Sequence, residues 1–283
     1  MSTRTIAQQL DASVEFVGPH KVLRPLPHRQ LKQVDPFIFI DHMEKRQLAP
    51  GEEMRIPPHP HAGFEVVTYL LEGEFFHRDS AGHDQIARAG DLNWMTSGKG
   101  IVHSEGPTAD FIREGGGMEL MQVWINLPAS KKGMEPDFHH YASADLPVVK
   151  DGAAAVKVLV GELKGKKSPV ITQTPMYYYD VTLEAGDVWL MPVPENFTAG
   201  IYLMSGGLQV TGQPVSKRQL VTFEANGNQV ALRATEKARF IAFGGEPIGE
   251  KVVSYGPFVM NSFDEIQEKI MDFERGKMGM LES

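Results

Sequence analysis

Short apolar segments separated by glycine and proline run along almost the whole chain, and this punctuation constrains the fold more than any other feature. The 283 residues include 28 Gly and 19 Pro. Strands of a few residues bounded by turn-forming residues are typical of all-β proteins. A clear example is the segment 64–72, which Gly73 follows as a tight turn before a return strand. The sequence therefore predicts an all-β fold.

The pattern of predicted strands occurs twice. The first set covers residues 64–72, 74–77, 92–95, 101–105 and 118–127, and the second covers 177–184, 188–191, 200–204, 207–211, 219–223, 229–233 and 239–243. Tyr69-Leu-Leu-Glu-Gly73 in the first set matches Tyr202-Leu-Met-Ser-Gly206 in the second. Such internal similarity predicts two related β-barrels in tandem. The polar segment 128–147 is the predicted connection between them.

One helix is predicted near the C-terminus. Ser262 can cap it, and Glu265 completes a capping box. Ile266, Ile270 and Phe273 follow at helical spacing, which predicts an apolar stripe that packs on a barrel.

The overall composition describes an ordinary globular chain, with 42% hydrophobic and 23% charged residues. A net charge of −8 argues against direct nucleic-acid binding, which usually requires a dense basic surface. The densest basic clusters, Lys164–Lys167 and Lys131-Lys132, lie beside glycines and are predicted to be solvated loops.

The absence of cysteine excludes disulfides, thiolate metal sites and cysteine nucleophiles. It also fits a reducing compartment. The first ten residues lack a hydrophobic signal core, and no segment approaches the roughly 18 apolar residues of a membrane span. We therefore expect a cytoplasmic protein with no membrane association.

Two pairs of polar residues are the strongest functional signal. His59-x-His61 is followed about forty residues later by His103-x-Glu105. Residues two apart in a strand point to the same face, so each pair offers two ligands to one point in space. Three imidazoles and a carboxylate suit Fe(II), Mn, Ni, Cu or Zn, but do not suit Mg or Ca, which prefer oxygen ligands. The pairs predict one divalent transition metal per chain.

Several motifs resemble those of the pirin family, a two-barrel (bicupin) group of the cupin superfamily. They are His59-Pro-His-Ala-Gly-Phe-Glu65, Tyr69-Leu-Leu-Glu-Gly73, Gly90-Asp-Leu-Asn-Trp-Met95, Gly98-Lys-Gly-Ile-Val-His-Ser-Glu105 and Gly256-Pro-Phe-Val-Met-Asn261, with Asp35-Pro-Phe37 near the start. The resemblance implies two tandem cupin, or jelly-roll-like, β-barrels with a short C-terminal helix. Residues 1–133 would form a metal-binding barrel, and residues 134–283 a metal-free barrel that includes the helix.

The spacing leaves two candidates for the fourth ligand, Glu65 and Glu105. In a generic cupin the Glu four residues after the second His binds metal, which here is Glu65. The resemblance to pirins instead implies Glu105, which also shares a strand face with His103. We therefore expect His59, His61, His103 and Glu105 to bind the metal. Glu65 would then orient a ligand or serve as a structural polar group, and it remains the alternative ligand.

The histidines are distributed unevenly. All ten lie at or before His140, so the second barrel cannot build an imidazole site. An ungapped match on the repeated Tyr-Leu-x-x-Gly segment places Pro192 at the position of His59 and Pro194 at that of His61. His77 and His83 lie in or beside a hairpin, and we expect them at the surface or next to the metal ligands.

The resemblance implies an Fe(II)-dependent dioxygenase of the quercetin 2,3-dioxygenase type. Such an enzyme opens a flavonol such as quercetin with O2 and releases CO. Four protein ligands on an octahedral metal leave two positions for a small aromatic or enolic substrate and O2. Glu105 could also act as a general base for the flavonol proton. Candidates for a dry pocket wall are Phe37, Phe39, Phe64, Trp94 and Met118.

The resemblance also implies an alternative without turnover. Some pirin relatives are iron-dependent, redox-responsive regulators that bind a protein partner, such as a transcription factor or a metabolic enzyme. A zinc-dependent isomerase acting on a sugar phosphate would need a basic pocket, which the sequence does not indicate. Fe(II) is the expected metal, while Zn, Mn, Ni and Cu remain open because most nitrogen–oxygen sites bind Cu and Zn more tightly than Fe.

Overall fold

A computed structural model describes residues 2–282, which form mostly β-strands. The strands of the first half are β1 (Ile6–Asp11), β2 (Ser13–Val17), β3 (His20–Leu26), β4 (Phe37–Leu48), β5 (Ile56–His61), β6 (Phe64–Glu72), β7 (Glu74–Asp79), β8 (Asp84–Arg88), β9 (Leu92–Thr96), β10 (Ile101–Pro107), β11 (Gly116–Asn126) and β12 (Asp137–Tyr141). A short helix, α1 (Ala109–Glu114), lies between β10 and β11.

The second half continues with short strands and one longer helix. The strands are β13 (Val148–Asp151), β14 (Ala154–Val160), β15 (Glu162–Leu163), β16 (Lys166–Lys167), β17 (Met176–Leu183), β18 (Val188–Pro192), β19 (Gly200–Ser205), β20 (Gly207–Val210), β21 (Gln213–Ser216), β22 (Gln219–Phe223), β23 (Gln229–Ala234), β24 (Ala238–Gly245), β25 (Val253–Tyr255) and β26 (Phe258–Met260). The helix is α2 (Phe263–Glu274). In the part of the chain that the structure describes, no helix has the length and apolar character needed to cross a membrane.

The described residues divide into two compact units. The first-barrel unit comprises residues 15–22, 39–143 and 248–282, and the second-barrel unit comprises residues 2–14, 23–38 and 144–247. This division differs from the predicted boundary after residue 133. Strand pairing explains the difference at the N-terminus, because β1 pairs with β22 and so joins the second-barrel unit. The C-terminal helix belongs to the first-barrel unit.

The sheets of the two units have matching strand orders. In the first-barrel unit the four-stranded sheet runs β5-β10-β7-β8, and in the second-barrel unit it runs β18-β23-β20-β21. The seven-stranded sheets run β12-β9-β6-β11-β4-β3-β2 and β1-β22-β19-β24-β17-β14-β13. Each strand of one set has a counterpart at the same place in the other. The predicted all-β fold of two tandem cupin barrels is therefore confirmed.

Helix α2 forms where the sequence predicts it. Ser262 caps its N-terminus by accepting a hydrogen bond from the backbone N–H of Glu265. Ile266 is buried in an apolar cluster with Ala62 and Val102, which lie next to β5 and on β10. The helix therefore packs against the two strands that carry the predicted metal ligands. Phe273, which the apolar stripe included, is 40% exposed.

Candidate metal centre

The three predicted histidine ligands lie on two neighbouring antiparallel strands, β5 and β10. His59 lies directly opposite His103, and His61 lies opposite Ile101. Directly opposed residues in an antiparallel pair have Cβ atoms about 5 Å apart, and His61 follows His59 on the same face. The pairing register therefore brings together side chains that are far apart in the sequence.

A shift in the pairing separates the histidines from the start of β5. Glu105 lies opposite Ile56, although His103 lies opposite His59, so β5 contains one extra residue in this interval. The interval contains Pro57 and Pro58, which have no backbone N–H to donate to a strand ladder. A bulge at this point is the expected consequence of two consecutive prolines in a strand.

The imidazole rings form a tight cluster. One potential ligand atom from each of His59, His61 and His103 lies within 4.8 Å of the others. The ring centroids are 4.3 Å apart for His59 and His103, 4.8 Å for His59 and His61, and 4.9 Å for His61 and His103. Among residues 2–282 this is the one group of at least three His, Asp or Glu side chains close enough to hold a metal.

Backbone carbonyls fix the tautomers of two of these histidines. Nδ1 of His59 lies 2.8 Å from the carbonyl oxygen of Pro57, and Nδ1 of His61 lies 3.3 Å from that of Pro257. A carbonyl oxygen only accepts, so Nδ1 of each ring must carry the proton. The lone pair on Nε2 is then free to bind a metal, which is the usual arrangement of an imidazole ligand.

The buried histidines are neutral and lack one expected partner. Burial and the neighbouring His59 lower the pKa of His61 to about 3. Burial, together with the surrounding histidines, also lowers the pKa of His103 well below its usual value. Nε2 of His103 is buried without a hydrogen-bond partner among the described residues. Leaving such an atom unsatisfied costs about 1–3 kcal/mol. The cluster therefore fits a divalent transition metal, which needs neutral imidazole ligands.

Glu105 does not belong to the cluster of close ligand atoms. Nε2 of Gln122 donates to its Oε1 at 2.5 Å, and Oγ1 of Thr68 donates to its Oε2 at 3.5 Å. The side chain is buried and lies on β10 two residues beyond His103. Gln122 contacts only Oε1, so Oε2 has only the long contact from Thr68. Its role as the fourth ligand remains a prediction.

Glu65, the alternative ligand, is completely buried, and only one of its two carboxylate oxygens has hydrogen-bond partners among the described residues. Its Oε1 accepts hydrogen bonds from Nε1 of Trp94 at 2.9 Å and from Oγ1 of Thr96 at 3.0 Å. Its Oε2 is buried without a partner among the described residues. Burial raises the pKa of Glu65 to about 7, although the two hydrogen bonds oppose this change. These contacts are those of a group that orders the barrel interior.

The raised pKa of Glu65 predicts a pH-dependent effect of Glu65→Gln on the metal-free protein. The folded-state pKa of about 7 exceeds the usual 4.5, so wild-type stability falls as pH rises through this window. Gln cannot ionise and keeps an oxygen for Trp94 and Thr96. We expect nearly equal unfolding free energies near pH 4.5 and a variant about 3 kcal/mol more stable at pH 8. Urea denaturation at both pH values measures this, and a pH-independent difference would contradict it.

Asp79, His77 and His103 form a hydrogen-bonded series behind the metal-binding face of His103. The sequence did not predict this series. Nε2–H of His77 donates to Oδ2 of Asp79 at 3.0 Å, and the Nδ1 atoms of His77 and His103 are 3.5 Å apart. With the proton of His77 on Nε2, its Nδ1 can accept from Nδ1–H of His103. That arrangement leaves Nε2 of His103 for the metal. The signal in the sequence was the His77-x-Asp79 spacing on β7, opposite β10.

Asp79 is held as a carboxylate. Burial alone would raise its pKa, but hydrogen bonds from His77 and from the backbone N–H of His83 bring the pKa below its usual value. His83 also places Nδ1 2.9 Å from Oδ2 of Asp79. His83 is thus a contact of the supporting carboxylate, as is His77.

This support predicts that Asp79→Asn weakens metal binding. Asn keeps one oxygen for the backbone N–H groups of Ala81 and His83, but it places an NH2 donor where Oδ2 of Asp79 accepts from His77, and it loses the charge that fixes the tautomers. We expect a metal affinity about 10-fold lower, as for other carboxylates behind metal-bound histidines. Competition titration with Co(II) and a chelating dye measures the change. Asp84→Asn, at an exposed position of β8, is the control, and equal losses in both variants would refute the role of Asp79.

An aromatic pair lies beside the histidines. The rings of Phe39 and Trp124 stack with centroids 4.3 Å apart, and Trp124 lies 5.2 Å from the ring of His61. Phe64 contacts both His61 and Trp124. Nε1 of Trp124 is buried without a hydrogen-bond partner among the described residues. Trp124 was missed because nothing in the local sequence places it next to the histidines.

The other residues proposed for a pocket wall have different surroundings. Trp94 is buried and donates to Glu65, and Met118 belongs to an apolar core cluster with Leu70. Phe37 lies in the second-barrel unit, where it packs against Phe243. Of the five predicted wall residues, only Phe39 and Phe64 thus contact Trp124, whose ring lies beside His61.

Lys132 is buried and bonds to the chain near the histidines. The prediction that it is solvated is therefore wrong. Lys132 is only 3% exposed, and its Nζ donates to the carbonyls of Gly63 and Val259 and to Oδ1 of Asn126. Gly63 follows His61 with a φ of +89°, and a Cβ there would collide with the carbonyl oxygen of Val259. The sequence did not indicate this contact because two of its three acceptors, Gly63 and Val259, lie far away in the chain.

Two barrels with matching strand order, one of which carries a cluster of histidines, define a two-barrel cupin. The family model Pirin matches residues 19–125, and the model Pirin C-terminal cupin domain matches residues 178–279. The chain belongs to the pirin family.

Similar proteins are known from plants, animals and bacteria. A pirin-like protein of Solanum lycopersicum is 39% identical over 285 residues, which cover 99% of this chain and 94% of the relative. Pirin of Homo sapiens is 36% identical over 271 residues, covering 94% of this chain and 90% of the relative. A crystal structure of quercetin 2,3-dioxygenase from Acinetobacter baumannii has a TM-score of 0.94 at 29% identity, covering 99% of this chain and 100% of that chain.

Proposed function

We propose that this chain is an Fe(II)-dependent dioxygenase that opens a flavonol such as quercetin with O2 and releases CO. The main support is the cluster of three histidines, within 4.8 Å of one another, in a chain that resembles a quercetin 2,3-dioxygenase along its whole length. We also propose a cytoplasmic location, for which the cysteine-free sequence is the only support.

In this proposal His59, His61 and His103 hold the metal through Nε2. When bound, the metal supplies a Lewis acid for the flavonol oxygen and one-electron chemistry with O2. Carbonyls fix the rings of His59 and His61, and Asp79 acts on His103 through His77. These contacts hold the three imidazoles in place, so that little reorganisation is needed when the metal binds.

The aromatic pair of Phe39 and Trp124 would orient the substrate. Both side chains are half-buried, so the pair presents an apolar face beside His61. A flat flavonol ring can stack on such a face and exclude water from the site. The unpartnered Nε1–H of Trp124 would donate to a substrate oxygen, which also removes the cost of leaving it unsatisfied.

Glu105 would accept the proton of the flavonol hydroxyl at Oε2. Gln122 holds Oε1 at 2.5 Å, while the contact from Thr68 to Oε2 is long, at 3.5 Å. The carboxylate is therefore positioned through one oxygen and has the other available for a proton. A base held within reach of the substrate hydroxyl is the requirement for general base catalysis.

Glu105→Gln separates the two predicted roles of this residue. If Glu105 acts only as a base, kcat should fall about 100-fold while the metal dissociation constant is unchanged. If it is also the fourth ligand, metal affinity should fall as well. Metal titration and single-turnover kinetics on the same preparation measure both quantities. Unchanged affinity together with unchanged kcat would exclude both roles.

The test of the proposed function is turnover by the reconstituted protein. Apo-protein is loaded with Fe(II) without oxygen, mixed with quercetin, and then exposed to air while CO and the flavonol absorbance are followed. Parallel samples carry Mn, Ni, Cu or Zn, and His59→Ala is the matched negative control. We expect CO in a one-to-one ratio with the quercetin consumed, the highest rate with Fe(II), and no reaction in the variant.

A failed reaction would favour the regulatory alternative. If no metal supports turnover, yet a protein partner binds the Fe(II) and Fe(III) forms with different affinities, the chain is a regulator. If Zn is the only metal that binds and Fe(II) cannot replace it, both iron-dependent functions are excluded. Turnover that persists in His59→Ala would show that the reaction does not depend on the histidine cluster.

A further inference from the structure

A segment near the C-terminus pairs with the chain at the end of β5. Ala62 and Phe258 form a parallel bridge, and the backbone N–H of Val259 donates to the carbonyl of Ala62 at 3.0 Å. The carbonyl of Pro257 accepts from the backbone N–H of Ala62 at 3.4 Å and lies 3.3 Å from Nδ1 of His61. A predicted metal ligand is therefore held by a carbonyl that lies 196 residues further along the chain.

Lys132 joins the two paired segments. Its Nζ donates to the carbonyl of Gly63 at 2.7 Å and to that of Val259 at 3.0 Å. Gly63 lies two residues beyond His61, and Val259 lies two residues beyond Pro257. One ammonium group thus connects the two segments directly beside the hydrogen bond between His61 and Pro257.

The burial of Lys132 is costly. Its side chain is 3% exposed, and its three described acceptors are neutral oxygens, the third being Oδ1 of Asn126 at 2.7 Å. Burial lowers the pKa of Lys132 to about 8, against the attraction of Glu250 and Glu265. Packing alone does not require this cost, since Met fills a similar volume without a charge. The hydrogen bonds are therefore the contribution of a lysine at this position.

The two segments approach so closely that they cannot move independently. Gly63 has a φ of +89°, and a Cβ there would collide with the carbonyl oxygen of Val259, the same oxygen that accepts from Lys132. Phe258 is buried between them and helix α2, in the apolar cluster that includes Ile266. A displacement of Val259 would therefore also displace the carbonyl of Pro257, two residues earlier.

The tautomer of His61 depends on the carbonyl of Pro257. With the proton on Nδ1, the lone pair on Nε2 is available to a metal. If the carbonyl moves out of reach, the proton can reside on Nε2 instead and block the metal-binding lone pair. A group that keeps this carbonyl in place acts on metal affinity although it contacts neither the metal nor the ring.

We propose that Lys132 is a positioning residue of the metal centre. By joining Gly63 to Val259, it keeps the carbonyl of Pro257 on Nδ1 of His61, so that Nε2 faces the metal. This role rests on His61 being a metal ligand. It does not depend on the reaction at the metal, so it applies to the dioxygenase and to the regulator alike.

The test compares Lys132→Met with Ile266→Val in the full-length, metal-free protein. Both variants should melt at a lower temperature, the first through lost hydrogen bonds and the second through looser packing of the same apolar cluster. Two-bond 1H–15N spectra of protein labelled with 15N-histidine report which ring nitrogen carries the proton, and His61→Asn assigns the signals. We expect Nδ1–H at His61 in wild type and in Ile266→Val, and a shift toward Nε2–H in Lys132→Met.

Metal affinity is the second measurement. Titration with Co(II) should give an affinity about 10-fold lower for Lys132→Met and unchanged for Ile266→Val. Lys132→Gln, whose amide can still donate to one carbonyl, should show a smaller change in the same direction and replaces Lys132→Met should that variant fail to fold.

Three results would overturn the proposal. They are a wild-type His61 with its proton on Nε2, a Lys132→Met protein in which either the tautomer or the Co(II) affinity is unchanged, and an equal tautomer shift in Ile266→Val. The expected tautomers and affinities in a protein that fails to turn over quercetin would contradict the proposed reaction and support the role of Lys132.

Discussion

His103→Ala should abolish stoichiometric metal binding. His103 supplies the most buried of the three clustered imidazoles, and its Nε2 has no partner among the described residues. Loss of a group that only supports a ligand usually costs 10–100-fold in affinity, and loss of the ligand itself should cost well over 100-fold. Metal analysis of dialysed protein should find one divalent ion per wild-type chain and a negligible amount in the variant.

The same substitution should abolish stabilisation by the metal. A ligand present at about 1,000 times its dissociation constant stabilises the folded state by about 4 kcal/mol. Wild-type protein should therefore melt at a higher temperature when Co(II) is added, and His103→Ala should not. His139→Ala, at an exposed position of β12, is the control and should behave as wild type. Stoichiometric metal in His103→Ala would refute the assignment of the cluster.

The sequence predicts the parts of this site that depend on local periodicity. His59 and His61 point to the same face because side chains in a strand alternate with a period of two. The Gly and Pro residues mark where strands end. The opposition of His59 and His103 is different, since it depends on the register between two strands that lie far apart in the sequence. Ligand chemistry grouped the two pairs into one predicted metal site, but no local pattern gives the register that brings them together.

Contacts between distant segments were beyond prediction from one sequence. Lys132 was predicted to be solvated, yet its acceptors are Gly63, Asn126 and Val259. The pairing of β1 with β22 moves the N-terminal residues into the second-barrel unit. In both cases the free energy comes from hydrogen bonds that no local pattern encodes, because the partners are brought together only by the complete fold.

A cavity retained in the second barrel follows the same logic. Replacement of ligand histidines by Pro192 and Pro194 was visible in the repeat match, and it predicted the loss of a metal site. It did not predict what remained, which is a cavity of about 950 Å³ lined in part by Pro192 and Pro194. Loss of a metal site and loss of a pocket are therefore separate events in this fold.

Arg4→Met should destabilise the second-barrel unit by about 4 kcal/mol, because four main-chain carbonyl oxygens would lose their donor at about 1 kcal/mol each. Met fills a similar volume, so the loss reflects hydrogen bonding more than packing. Arg4 is fully buried, and its described hydrogen bonds all go to main-chain carbonyls. Burial lowers its pKa, because desolvation opposes the charged form. The stabilisation must therefore come from the geometry of its five N–H donors.

Arg4→Lys isolates this geometric contribution, because Lys keeps the positive charge but its compact ammonium cannot reach all four carbonyls. We expect its unfolding free energy in urea to fall between those of wild type and Arg4→Met. The exposed Arg233→Met is the control and should change stability by less than about 0.5 kcal/mol. Metal affinity of the histidine cluster should be the same in all three variants. If Arg4→Met were as stable as wild type, the four carbonyls would have found other partners, and the hydrogen bonds of Arg4 could not be what stabilises the loops that carry them.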